Sequence, residues 1–139
     1  VKRRPMLSPL GAPCNRPPWG VLTAIDMTTG KKAWEVPLGS TRDLAPFPLW
    51  LNLGVPNSGG SMVTASGLTF IAAATDSYLR AFATETGEEL WKARLPAGGH
   101  ATPMSYTGKD GAQYVVIAAG GNRMLGSTMG DAIVAFRLR

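Results

Sequence analysis

Few side chains in this 139-residue sequence are of a type that does chemistry, so each can be taken singly. Cys14 is the one cysteine and His100 the one histidine. A lone cysteine forms no intrachain disulfide, and no CxxC or zinc ligand set accompanies it, which leaves a structural thiol or a partner on another chain. His100 lies in the turn-rich stretch Ala97-Gly98-Gly99-His100-Ala101-Thr102-Pro103, where hydrogen bonding at the surface or in a turn is expected over catalysis. Asp76 sits between Ala74-Thr75 and Tyr78-Leu79-Arg80-Ala81. A carboxylate there either braces a β-turn or serves a site. Asp43 stands beside Arg42, with which it can pair on the surface. Asn122, after Gly120-Gly121, offers hydrogen bonds but does not titrate near neutral pH. Neither that glycine pair nor Gly98-Gly99 is a phosphate loop, because no helical pattern follows to present an N-terminus to an anion.

The elements that must hold these residues are read from Gly67–Gly98, GLTFIAAATDSYLRAFATETGEELWKARLPAG. Leu68–Ala73 is a short apolar run suited to a strand buried on both faces. Tyr78–Ala83 follows as a second strand, and the turn Glu85-Thr86-Gly87 leads to a third that carries Trp91. A glycine closing so short a turn supplies positive φ, so the flanking strands form a hairpin. The same unit occurs upstream in LTAIDMTTGKKAWEVPLG, where Ala24, Gly30 and Trp34 match Ala81, Gly87 and Trp91 at one constant offset. Downstream it returns altered, with Tyr114–Ala119 answering Leu68–Ala73 and Ile133–Phe136 answering Leu79–Phe82. Several short strands at a period of roughly 40–60 residues predict an all-β fold, a partial β-propeller. Closure takes about four to eight blades of four strands, so the chain holds about two to three blades of a larger ring. The expected organisation is a Pro-rich irregular lead-in over residues 1–20, a partial blade plus apolar loop over 21–57, a full blade over 58–98, and a final blade with a closing strand over 99–139.

Within that frame, the Asp26 carboxylate braces its turn by accepting backbone N–H groups, and Ala83 stands at the equivalent place in the second copy without that brace. Trp34 is placed to insert against a neighbouring blade, where a buried indole needs a partner for its N–H. Gly39–Gly60 departs from the repeat. Pro46, Pro48 and Pro56 oppose a regular strand, and Phe47, Leu49, Trp50, Leu51 and Leu53 make a loop that is either packed under other chain or lines a pocket. The net charge is +5, but Lys2, Arg3 and Arg4 supply part of it at the start and the other bases are interleaved with acids, so a solvated surface is expected and no nucleic-acid partner. No apolar run approaches the roughly 18 residues of a membrane span. VKRRPMLSPL is too short in its apolar part and too broken by proline for a signal peptide, so a targeting segment belongs outside this sequence.

The pattern A-x-D-x-x-T-G-x-x-x-W (Ala24, Asp26, Thr29, Gly30, Trp34) resembles the tryptophan-docking repeat of quinoprotein alcohol and sugar dehydrogenases. The ordered series Gly59-Gly60-Ser61 with Thr64-Ala65, FIAAATDSYLRAF, LPAGG-x-ATPMSY, QYVVIAAGG and MGD-x-IVAF resembles the C-terminal end of the membrane-bound, pyrroloquinoline-quinone-dependent dehydrogenases of glucose, quinate and polyols. The resemblance runs from Pro17 to Leu138. It implies an eight-bladed propeller at the periplasmic face of the bacterial inner membrane, holding pyrroloquinoline quinone (PQQ) and a divalent cation, usually calcium, near its axis. A sugar or polyol would be oxidised, glucose-type favoured over quinate, shikimate, sorbitol or glycerol, and the electrons passed to ubiquinone.

The catalytic Asp and the quinone-contacting Lys of that family lie on earlier blades. The resemblance therefore assigns no catalytic and no metal residue to this chain, expects it to be inactive alone, and makes the remaining blades its partner. Residue by residue, Asp76 matches an acid close to the cofactor, able to pair with that Lys. Asn122 stands where glucose-oxidising members resemble A-G-G-H, with a histidine near quinone and substrate, which makes it a cofactor-binding candidate. Asp43, in R-D-x-x-P-F, matches an acid of electron transfer to ubiquinone. His100 falls where relatives resemble G-G-Q, and the glycine pairs permit tight turns or close approach to a flat quinone. The reading of a different class is a non-catalytic propeller scaffold that shares only the docking repeat.

Overall fold

The computed structural model describes residues 6–9 and 13–137, so the basic start Lys2-Arg3-Arg4 and Leu138 lie outside the described residues. Three antiparallel sheets follow one another along the chain. The first is a hairpin of β1 (Val21–Asp26) and β2 (Lys31–Pro37). The second is a four-stranded meander of β3 (Ser61–Val63), β4 (Leu68–Ile71), β5 (Tyr78–Ala83) and β6 (Glu89–Arg94). The third pairs β7 (Met104–Thr107), β8 (Gln113–Ala119) and β9 (Ala132–Arg137). The chain is thus an all-β partial propeller.

Registers reproduce the sequence repeat. Ala24 faces Trp34 as Ala81 faces Trp91. In both hairpins a left-handed glycine closes the turn: Gly30 at φ 67 donates its N–H to Asp26 O at 2.7 Å, and Gly87 at φ 74 to Ala83 O at 2.8 Å. The Asp26 side chain braces the first turn, accepting from Thr28 N–H at 2.8 Å and from the Thr29 hydroxyl at 2.8 Å. Hydrogen bonds from the Thr29 hydroxyl, then the Thr28 amide, hold this carboxyl below its ordinary value.

Trp34 couples the first two sheets. Its indole N–H donates to Thr84 O at 2.9 Å. A Cβ on Gly87 would come within 2.6 Å of the indole ring, so glycine alone leaves room for it. Trp91, by contrast, is 40% exposed. Its ring meets Phe136 edge-on at 5.2 Å, across a groove of about 390 Å³ lined by Leu68, Phe70, Ala81, Val115 and Phe136. The two indoles hold equivalent strand positions but unequal settings.

Two apolar clusters make the core. One joins the second and third sheets through Phe70, Leu79, Leu95, Val115 and Ile117; the other joins the first and second through Leu38, Val55, Ile71 and Phe82. The strand expected over Leu68–Ala73 ends at Ile71. Ala73 takes φ 29, and its carbonyl accepts Ser58 N–H at 2.9 Å, so the chain peels from the sheet to meet an incoming loop. The apolar loop after Gly39 has one buried apolar side chain, Val55, near its end; Phe47 is 76% exposed, with Trp50, half-exposed, edge-on to it at 5.2 Å. Its backbone is nonetheless well braced, since Thr41 Oγ1 donates to Leu49 O at 2.6 Å and accepts Leu51 N–H at 2.9 Å.

Strand polarity divides the molecule into two ends. The hairpin turns at 27–30, 64–67, 84–88 and 108–112 lie at one end. The loops at 38–60, 72–77, 95–103 and 120–131 gather at the other.

Candidate functional site

The candidate site residues Asp43, Asp76, His100 and Asn122 fall on the loop end. Asp43 ends a short 3-10 turn (Thr41–Asp43), Asp76 lies in the 72–77 loop, His100 precedes β7, and Asn122 follows β8. Asp76 is wholly buried. Its Oδ1 accepts from Arg80 Nη1 at 3.0 Å, while Oδ2 accepts from Arg80 Nη2, from Ser40 N–H at 2.7 Å and from the Ser40 hydroxyl at 3.1 Å. Arg80 also donates through Nε to Glu89 Oε2 at 3.0 Å. Burial works against the guanidinium charge, but hydrogen bonding and Coulomb attraction from Asp76, then Glu89, outweigh it and hold Arg80 above its ordinary value. The carboxylate therefore ties the loop after β2 to β5 and has no face open to solvent. The 72–77 loop around it is strained: Ala73 and Ser77 take φ 29 and 55, and the buried Thr75 Oγ1 has no partner among the described residues.

A second run of hydrogen bonds continues from this loop to Asn122. Ser58, whose N–H binds Ala73 O, offers its own carbonyl to His100 Nδ1 at 2.9 Å. A carbonyl only accepts, so Nδ1 carries a proton and donates to it, and Nε2 faces the third loop. There the Ser127 hydroxyl sits at 2.8 Å, and its oxygen accepts Asn122 N–H at 2.7 Å. The Asn122 side chain caps the following 3-10 turn (Arg123–Leu125), its Oδ1 accepting from Met124 N–H at 3.0 Å and Leu125 N–H at 3.3 Å. Its Nδ2 hydrogens have no partner among the described residues. The glycine pairs bring these loops together: Gly121 N–H binds Gly98 O at 2.8 Å, and a Cβ on Gly98 would lie 2.7 Å from Ser127 Oγ.

Asp43 does not pair with Arg42. It accepts from Arg94 Nη1 at 2.8 Å, and Arg42 instead lies over the Trp50 ring at 5.0 Å. A 3-10 turn leaves neighbouring side chains pointing apart, and β6 delivers a better-placed guanidinium. The Asp43 bond, against some desolvation, raises the Arg94 pKa. Among the described residues no group of three His, Cys, Asp or Glu side chains is arranged to hold a metal. Sequence reasoning missed Ser40, Arg80, Ser58 and Ser127. Only Arg80 left a signal, since an arginine inside the apolar strand YLRAFA needs a buried acid.

A repeated sheet unit wedged by an indole, with its polar loops gathered at one end, defines the class. The chain belongs to the PQQ family, described as the β-propeller domain of glucose, ethanol and alcohol dehydrogenases, whose sequence model matches residues 1–115. It is 48% identical over 142 residues to the quinoprotein glucose dehydrogenase of Escherichia coli, and 49% over 143 to the quinate/shikimate dehydrogenase (quinone) of Acinetobacter baylyi. In both matches 99% of this chain is covered, and the chain spans 18% of the relative's length. Among solved structures, quinohaemoprotein alcohol dehydrogenase from Comamonas testosteroni superposes with a TM-score of 0.60 at 25% identity, covering 91% of this chain and 17% of that one.

The quinone is an acceptor-rich, flat group that needs hydrogen-bond donors beside a close-packed backbone. Asn122, partly exposed with a spare amide donor between the locked glycine loops, fits that need. Asp76 fits only from behind, because Arg80 and Ser40 occupy its oxygens.

Proposed function

We propose that this chain forms the closing blades of a PQQ-dependent dehydrogenase that oxidises a sugar or polyol, glucose-type, and delivers electrons to ubiquinone at the periplasmic face of the bacterial inner membrane. The observation that carries the reading is that Asp76 and Asn122 lie at one end of the sheets, where a hydrogen-bonded run from Ala73 O, in the loop that carries Asp76, passes through Ser58, His100 and Ser127 to Asn122. The blade units are read as residues 21–57, 58–98 and 99–139 behind the 1–20 lead-in.

When bound, the quinone supplies the two-electron acceptor for the substrate's hydride. This chain's part is orientation. Asn122 donates through Nδ2 to the cofactor. Asp76 holds Arg80 and the Ser40 loop in place, setting the local field without touching the group itself. Asp43, at the rim and paired with Arg94, lies on the route of electrons toward ubiquinone. Calcium, or another divalent cation, takes its ligands from blades outside this chain.

Quinate, shikimate and glycerol enter as the alternative substrates because relatives named for them match as well as the glucose enzyme does: 49% identity for the quinate/shikimate enzyme and 48% for the Gluconobacter oxydans glycerol dehydrogenase large subunit. The test is reconstitution of the full-length protein with quinone and calcium, followed by dye-linked oxidation of glucose, quinate, sorbitol and glycerol. Turnover on one of them that Asn122→Ala weakens is the expected result. No quinone binding and no turnover on any of the four would make the chain part of a non-catalytic propeller.

A further inference from the structure

We propose that His100 is a positioning residue: it fixes the Asn122 loop through Ser127 and so sets the donor that meets the cofactor. The proposal rests on the reading of Asn122 given above. The geometry is directional. Ser58 O accepts from His100 Nδ1 at 2.9 Å, and Nε2 bonds the Ser127 hydroxyl at 2.8 Å, the same hydroxyl that lies 3.4 Å from Asn122 O. The Ser127 oxygen is thereby aimed at Asn122 N–H, 2.7 Å away. Ser127 is 7% exposed, so water competes poorly for these bonds. Three loops from two sheets meet in this run: the stretch before β3, the stretch before β7 and the loop between β8 and β9. The backbone bonds Gly121 N–H to Gly98 O and Gly98 N–H to Thr128 O close the same loops, and Met124 and Leu125 N–H hold the Asn122 side chain; His100 and Ser127 add the bond that fixes the Asn122 N–H and so the entry of the chain into that cap.

A phenyl ring at position 100 keeps the bulk and loses both bonds. A glutamine keeps one donor and one acceptor on a flexible stem, so it can donate to Ser58 O and accept from Ser127. The experiment uses the full-length protein and four variants, His100→Phe, His100→Gln, Ser127→Ala and Asn122→Ala. Quinone affinity is read by fluorescence quenching of the apo-protein. Deuterium exchange of the 120–131 loop and the kcat and KM of the loaded enzyme complete the set.

Loss of one such anchor is worth about tenfold in quinone affinity. His100→Phe and Ser127→Ala should each lose that factor, their double variant no more than either alone, and both should speed exchange in the 120–131 loop. His100→Gln should return to within about twofold of the parent. Because binding of the cofactor is affected, kcat at saturating quinone should change less than the affinity. If Asn122→Ala weakens the quinone while His100→Phe and Ser127→Ala leave affinity and exchange unchanged, the positioning role is overturned and the reading of Asn122 stands. If Asn122→Ala itself changes nothing, that reading fails and the positioning role falls with it.

Discussion

Gly87→Ala, set beside Gly111→Ala, isolates the docking of Trp34. Both glycines have φ 74. An alanine at either pays the left-handed penalty of about 1–2 kcal/mol. At Gly111 nothing lies within 4 Å of the added Cβ, so that penalty is the whole cost. At Gly87 the Cβ would sit 2.6 Å from the six-membered ring of Trp34, whose N–H holds Thr84 O at 2.9 Å. The indole must move, and overpacking of this kind costs about 1–3 kcal/mol more. The difference between the two variants should therefore be about 1–3 kcal/mol, and it should vanish in a Trp34→Ala background, where the space is free. Chemical denaturation of the full-length protein, with deuterium exchange of the 84–88 turn to localise the effect, reads both quantities. Equal costs for Gly87→Ala and Gly111→Ala, or a difference that survives removal of Trp34, would refute the reasoning that the indole wedges the sheets.

Asp76→Ala leaves Arg80, 4% exposed, with Glu89 as its remaining acid, and should destabilise by about 3–5 kcal/mol while the Ser40 amide loses its exchange protection; unchanged protection there contradicts the clamp. Asp26, held below its ordinary value of 3.8 by the Thr29 and Thr28 bonds, has a folded pKa lower than its unfolded one. Its contribution is present above the unfolded value and lost as pH falls through the folded value, so the 27–30 turn should loosen only in strong acid, and Asp26→Asn, which has no carboxyl to protonate, should abolish that onset in an NMR titration. Arg94→Gln breaks the bond to Asp43 on a half-exposed surface, where the change in stability should stay within about 1 kcal/mol. It should slow reduction of a ubiquinone analogue and spare dye-linked turnover; equal loss in both assays removes Asp43 from the electron route.

Period and turn chemistry made the fold legible. The strand over Tyr78–Ala83 matches its expected bounds and the one over Tyr114–Ala119 begins one residue earlier, at Gln113, because each lies between a polar turn and a loop that stop pairing sharply. The Leu68–Ala73 run misled because Ala72 and Ala73 are buried by loop contacts beyond the strand's end, and burial alone does not distinguish the two. The polar network was mostly hidden. Ser40, Ser58 and Ser127 lie on separate loops, and a serine's partner across a sheet leaves no periodic trace. Adjacent residues also misdirect: Arg42 neighbours Asp43 in sequence, yet Arg94, brought in by β6, takes the carboxylate.

The most direct test is a structure of the full-length protein with quinone and calcium bound. Quinone density at the loop end, within hydrogen-bonding distance of Asn122 Nδ2 and with Asp76 still closed by Arg80 and Ser40, is the result the account predicts. Density at the end carrying the 27–30 and 84–88 turns, or against blades that leave Asn122 and the 120–131 loop in solvent, would contradict it.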